Sequence, residues 1–149
     1  MKKLYILLAS FIIVCVLSSS IITNAATFSD TGTVPWAEAA INRLADQGVL
    51  NGVGNGKFDP TSNVTRGQLA CIIVRAFNLP QAVGVEFPDV KTGTYYHDDI
   101  MTARVDGIIT GYPEGKFYPD QNVTRQDLFV MVARAVSGRI QYQVQHLMK

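Results

Sequence analysis

Arg66 and Arg125 stand in the first turn of two expected helices, each directly after a threonine suited to an N-cap. The positive end of the helix dipole opposes a cation there, at a cost of up to about 1 kcal/mol. The tetrad Asn-Val-Thr-Arg at 63–66 returns unchanged at 122–125, so the unfavourable placement occurs twice. A charge set twice against its local field serves another purpose. One is anion binding, since a carboxylate or phosphate would meet both the planar guanidinium fork and the free N–H groups of a helix start. The other is a structural ion pair with the preceding loop, for which Asp59 and Asp120 are the candidate partners. On the residues alone the two stand level.

The remaining reactive side chains form no catalytic constellation. His97 and His146 have no cysteine or carboxylate at a metal-ligand spacing that both halves of the chain share. Asp98 and Asp99 are neighbours on a helix and cannot face each other across a substrate as an acid/base pair. The glycine-rich stretch 52–56 leads into Lys57-Phe58, not into the Gly-Lys-[Ser/Thr] of a phosphate loop. Asn55 and Asp59 supply too few oxygens for a calcium loop. Cys71, on an apolar helix and matched by Val130 in the second copy, reads as a small buried hydrophobe. Asn63 and Asn122 each open a glycosylation triplet, but the threonines in those triplets are already explained as caps. No catalytic residue, metal or cofactor is expected, which leaves binding or assembly.

Lys2 and Lys3 precede an apolar run from Leu4 to Leu17, and a small polar segment then ends in Thr23-Asn24-Ala25. This is the pattern of a secretory signal peptide over residues 1–25. The run of 14 residues is shorter than the roughly 20 that span a bilayer, so no retained membrane segment is expected. Losing Lys2 and Lys3 takes the formal charge from +1 to −1, which gives no case for nucleic acid as a partner. Cys15 leaves with the signal. Cys71 alone cannot staple a monomer, so stability must come from packing or assembly.

The elements that position the arginines come in two copies, offset by 59 residues without a gap from Phe28 over Phe87 to Phe77 over Val136. Seventeen of those 50 aligned positions are identical, enough to treat the copies as one structural unit repeated. Each unit opens on Phe-x-Asp (Phe28 to Asp30, Phe87 to Asp89), an aromatic anchor with an acidic turn residue that accepts backbone hydrogens. A first helix follows, from Pro35 to about Gln47 and from roughly Tyr95 to Asp106, stopped by Gly48 and Gly107. Trp36, Ala40, Ile41 and Leu44 recur at helical spacing and form its expected buried stripe. Long connections, 49–63 and 108–122, then carry Gly-Lys-Phe and are expected to be anchored by Phe58 and Phe117. Thr65 with Gln68 is a capping box, and Thr124 with Asp127 has the same spacing. The second helices are apolar nearly all round, which calls for enclosing neighbours and hints at a missing partner. The prediction is an all-α fold of tandem helix–loop–helix units at 28–77 and 87–136, with an irregular linker at 78–86 and a polar tail at 137–149.

The ordered series Phe-x-Asp, Trp-Ala-x-x-Ala-Ile-x-x-Leu-x-x-x-Gly-Val, Gly-x-Gly-x-Gly-Lys-Phe-x-Pro and Val-Thr-Arg resembles the surface-layer homology (SLH) repeat of bacterial cell-surface proteins. The resemblance implies helix–loop–helix repeats, usually three per protein, packed as three lobes around a central bundle of Thr-Arg helices. It implies non-covalent anchoring to a Gram-positive cell-wall glycopolymer, commonly one bearing ketal-linked pyruvate, in grooves between adjacent repeats. The family's acid-binding arginine falls on Arg66 and Arg125, its helix-one aromatic on Trp36 and Tyr95, and its loop glycine, where the glycan is expected to approach, on Gly52 and Gly111. Lys57 and Lys116 are expected secondary contacts. Two departures stand out: the family's Ala-Glu pair is Gly67-Gln68 and Gln126-Asp127, and the stretch after Val136 is too short for a third repeat. Either affinity for the wall polymer is then reduced, or the three-lobed unit is completed by self-association or by pairing with another SLH protein.

Overall fold

The computed structural model describes residues 28–147, with side chains as far as Arg139. The expected signal peptide, Cys15 and the last two residues of the tail lie outside the described residues, as does the side chain of His146. Regular structure among the described residues is helical: α1 (Pro35–Asp46), α2 (Arg66–Ala76), α3 (His97–Val105) and α4 (Arg125–Leu147). A 3-10 turn at Thr31–Thr33 precedes α1, and two isolated β-bridges complete the backbone pairing. The expected tandem helix–loop–helix architecture is thus present. In the tail, helix α4 continues without a break. α3 starts at His97, two residues later than expected, with Tyr95 and Tyr96 in the turn before it.

Local rules account for the helix ends. At Gly48 (φ 71°) the Gly48 and Val49 amides donate to Ala45 and Leu44 at 2.9 Å each, satisfying carbonyls that the last turn leaves open. Gly107 (φ 68°) repeats this geometry with Arg104 and Ala103. Thr65 caps α2 with a complete box, its Oγ1 accepting from the Gln68 amide while the Thr65 amide donates to Gln68 Oε1 at 2.9 Å.

Each long loop is clamped by its own Phe-x-Asp motif. Asp30 accepts from the Phe58 and Asp59 amides at 2.8 Å, and Asp89 accepts from Phe117 and Tyr118 at 3.0 and 2.7 Å. The paired rings Phe28–Phe58 and Phe87–Phe117 lie 5.4 Å apart, which plugs the loop into the unit. Glycine is required at 52 because a Cβ there would meet the Lys57 carbonyl oxygen at 2.2 Å and the Phe28 ring at 2.6 Å.

The core is not divided evenly between the repeats. Leu69, Ala70, Cys71, Ile73 and Val74 of α2 join Phe87, Ile100, Met101, Ile108 and Phe117 of the second repeat in one buried cluster. α2, apolar nearly all round, is therefore enclosed by repeat 2 and packs on α3. α1 contributes Ile41 as its buried residue, with Leu44 half-buried, and the expected stripe fails at its other members. Ala40 is exposed and Trp36 is 86% exposed, because among the described residues no element covers that face of α1.

Candidate functional site

Arg66 joins the two repeats. Its helix start runs under the second repeat's loop, so the Arg66 amide donates to the Gln121 carbonyl and the Gly67 amide to Pro119, both at 2.8 Å. A bridge pairs Thr65 with Asn122, and the Val123 amide donates to Val64 at 2.9 Å. The guanidinium is buried between the Tyr112 and Phe117 rings, 4.9 and 4.7 Å from their centroids. Nε donates to the Phe117 carbonyl at 2.9 Å and Nη1 lies 3.1 Å from Asp127 Oδ2. Of the two open readings of this residue, the structure shows an ion pair, but with Asp127 of the other repeat instead of Asp59 or Asp120. The helix-start N–H groups expected to be free for an anion are occupied by loop carbonyls and by Thr65 Oγ1.

Beside this clasp runs a groove of about 570 Å3 between the first repeat's loop and α2, walled on one side by Tyr95 of the second repeat. Its loop wall carries Gly52, Ser62 and Asn63, and its helix wall carries Gln68 and Arg75. Arg75 is held by Asp99 of α3 at 2.9 Å through Nη2 and by the Asn51 side-chain oxygen at 2.8 Å through Nη1, with the Asn51 amide turned so that both its ends are paired. The Tyr95 ring stands edge-on to Tyr96 at 4.9 Å and is 65% exposed, leaving a face for stacking. Partial burial pushes its hydroxyl pKa up, so it stays a neutral donor and acceptor. An aromatic face, amide side chains and the Asp99-paired guanidinium of Arg75 thus share one open groove.

The S-layer homology domain profile matches residues 27–70 and 86–129, together more than half of the chain. The chain belongs to the S-layer homology family. It is 33% identical over 113 residues to an endoglucanase of Bacillus sp. (strain KSM-635), covering 76% of this chain and 12% of that enzyme. It is 32% identical over 107 residues to a surface-layer 125 kDa protein of Lysinibacillus sphaericus, covering 71% and 9% of the two chains. A surface layer protein of Brevibacillus choshinensis is 31% identical over 116 residues, covering 72% of this chain and 10% of its own length. The chain thus spans about a tenth of these relatives, in the portion that they share with it.

Within this S-layer homology pair the expected site residues do not converge. Gly52 and Tyr95 line the groove together. Arg66 is enclosed in the clasp, while Arg125, its equivalent, is exposed and its side chain makes no hydrogen bond or ion pair among the described residues. Trp36 stands alone on α1. Gly111 is buttressed internally, a Cβ there meeting the Phe87 ring at 2.7 Å. Lys57 and Lys116 lie exposed on the two loops, Lys116 with its Nζ 5.9 Å from the Tyr118 ring centroid. Thr124 caps α4 by accepting from the Asp127 amide at 3.0 Å. Arg75 was not among the expected site residues. Its recurrence as Arg134 is visible in the sequence, but its place in a groove depends on Tyr95 crossing from the other repeat. No group of three or more histidine, cysteine, aspartate or glutamate side chains among the described residues could hold a metal. No helix among them is long and apolar enough to cross a membrane.

Proposed function

We propose that this chain is a non-catalytic anchor that binds the anionic glycopolymer of a Gram-positive cell wall in the groove between its repeats. Membership in the family makes it a secreted cell-wall anchoring domain of the cell surface. The groove carries the proposal: Tyr95, 65% exposed, faces Gly52 and Arg75 across an open channel lined with amide side chains. Tyr95 stacks on a sugar ring, Arg75 pairs with an acidic substituent such as ketal-linked pyruvate, and Gly52 lets the chain of sugars lie close to the loop. Lys57 and Lys116 add peripheral charge. Arg66 holds the groove's two walls together from within. Tyr95→Ala should abolish co-sedimentation with purified walls while leaving the helical circular dichroism unchanged; undiminished binding by that variant would remove the groove as the site.

A second reading, assembly, is favoured by one observation. Phe129, Val130, Val132 and Val136 of α4 are exposed, Phe129 to 70%, on a helix whose counterpart α2 is enclosed. Exposed apolar surface of this kind marks an interface. In this reading the chain completes a three-lobed unit with another chain, and that interface carries the function.

A further inference from the structure

The contact between the two repeats has two sides, and each side occurs a second time in the chain with nothing on it among the described residues. On the helix side, Ala70, Cys71, Ile73 and Val74 are at most 3% exposed in the core that α2 forms with repeat 2. Their equivalents in α4, Phe129, Val130, Val132 and Ala133, are exposed. On the loop side, the Phe117, Pro119 and Gln121 carbonyls receive the Arg66 side chain and the Gly67 and Arg66 amides. The matching carbonyls of Phe58, Pro60 and Ser62 receive no hydrogen bond among the described residues. Tyr95 lies against α2, whereas its equivalent Trp36 is 86% exposed.

We infer that these two bare halves meet between molecules: α4 of one copy docks on the first repeat of a second copy, with the polarity in which α2 docks on repeat 2. This rests on the assembly reading above and commits it to a second copy of this chain. Size complementarity supports that partner. Gly67 sits where a Cβ would come within 3.1 Å of the Pro119 carbonyl and 3.2 Å of the Tyr96 ring. The second repeat has Gln126 at that position, and the residue that would lie over it in the first repeat is Ala37 in place of Tyr96. On the ring side the larger Gln126 is matched by the smaller Ala37, while Pro60 keeps the place of Pro119. α1 likewise offers the exposed Ala40 where α3 has Asp99, the neighbour of Cys71, so a small apolar residue is presented to Val130.

The docking is weaker between copies than within one. Arg125 entering the first repeat's loop meets the Phe58 carbonyl and ring, but Val53 stands where Tyr112 does. Gln68, its Oε1 already accepting from the Thr65 amide, stands where Asp127 supplies the ion pair. Association is therefore reversible. Because the two surfaces differ, each docked copy leaves one of each free, and growth is head to tail.

Sedimentation velocity with two blocked variants tests this. Arg125→Glu with Phe129→Asp blocks the α4 surface, and Trp36→Ser with Val53→Asp blocks the first repeat; all four residues are exposed, so the fold is kept. The unaltered chain should sediment faster as its concentration rises. Each blocked variant alone should be a monomer, and their equimolar mixture should give a dimer and nothing larger. A dimer of either variant alone would overturn head-to-tail docking. If the unaltered chain stays monomeric yet co-sediments, through Phe129, with a three-repeat protein of the same family, the second copy is the wrong partner and the assembly reading stands. A monomer in both mixtures overturns both.

Discussion

Arg66 of the first repeat and Asp127 of the second are joined at 3.1 Å, and each belongs to the capping signature of a different helix. Asp127 holds the position at which Gln68 closes the capping box of α2. Instead of reaching back to its own cap's amide, it accepts from the Thr124 hydroxyl at 2.9 Å and receives Arg66. The same departure from a full capping box thus locks repeat to repeat. Arg66→Ala leaves the Phe117 carbonyl unpaired and the Asp127 carboxylate without its cation, and should cost about 2–4 kcal/mol in urea unfolding. Asp127→Asn should cost less, and a double-mutant cycle should show coupling between the two. A loss below about 0.5 kcal/mol for Arg66→Ala would put the pair among ordinary surface contacts.

The Asp30 clamp predicts an acid limit for the first loop. Hydrogen bonds from the Phe58 amide foremost, with Asp59 and the nearby Lys57 charge adding, hold the Asp30 carboxyl below its usual value against a smaller effect of desolvation. A carboxyl depressed in the folded state stabilises above its unfolded value, near pH 4, and that contribution is lost as pH falls through the folded value. An NMR titration should find Asp30 below an unfolded-chain reference, and Asp30→Asn should flatten the acid limb of the stability profile. An Asp30 titrating at or above the reference contradicts the clamp.

Gly52→Ala should destabilise the chain more than Gly111→Ala. At 52 the added Cβ meets loop backbone, the Lys57 oxygen at 2.2 Å, so the turn itself must shift; at 111 the nearest atom is on the Phe87 ring at 2.7 Å, and the Lys116 oxygen is 3.1 Å away. A cost of about 1–3 kcal/mol is expected at 52. Thermal unfolding of the two variants decides it, and equal melting temperatures would contradict the ordering.

Cys71 should be inert in the native state. Burial, reinforced by the neighbouring Asp99 charge, pushes its thiol up to about 12, so almost no thiolate exists near neutral pH. A thiol-specific reagent at pH 8 should label it slowly in buffer and rapidly in denaturant. Comparable rates in both would place Cys71 outside the core.

Features set by neighbours along the chain were legible in the sequence, and those set by contacts across the fold were not. The Thr65–Gln68 box and the Gly48 and Gly107 stops obey local rules and occur as expected. The anchoring of the loops by Phe58 and Phe117 was also legible, though not that Asp30 and Asp89 receive those same residues' amides. Arg66 shows the limit. Asp59 and Asp120 were the candidates raised from the preceding loops, but the second repeat folds over the start of α2 and brings Asp127 instead. Trp36 failed for a related reason: helical spacing places it on one face of α1 but cannot say whether that face is covered. Arg75 and Tyr95 carry a groove only because one repeat lies against the other.

Co-sedimentation of the secreted chain with purified cell walls, before and after mild acid removal of ketal-linked pyruvate, tests the central claim most directly. An anion held at Arg75 beside Tyr95 predicts binding to intact walls that is lost when the pyruvate is removed and is absent from Tyr95→Ala in both cases. Binding that survives both the acid treatment and the Tyr95 substitution would contradict recognition of an acidic glycopolymer in this groove.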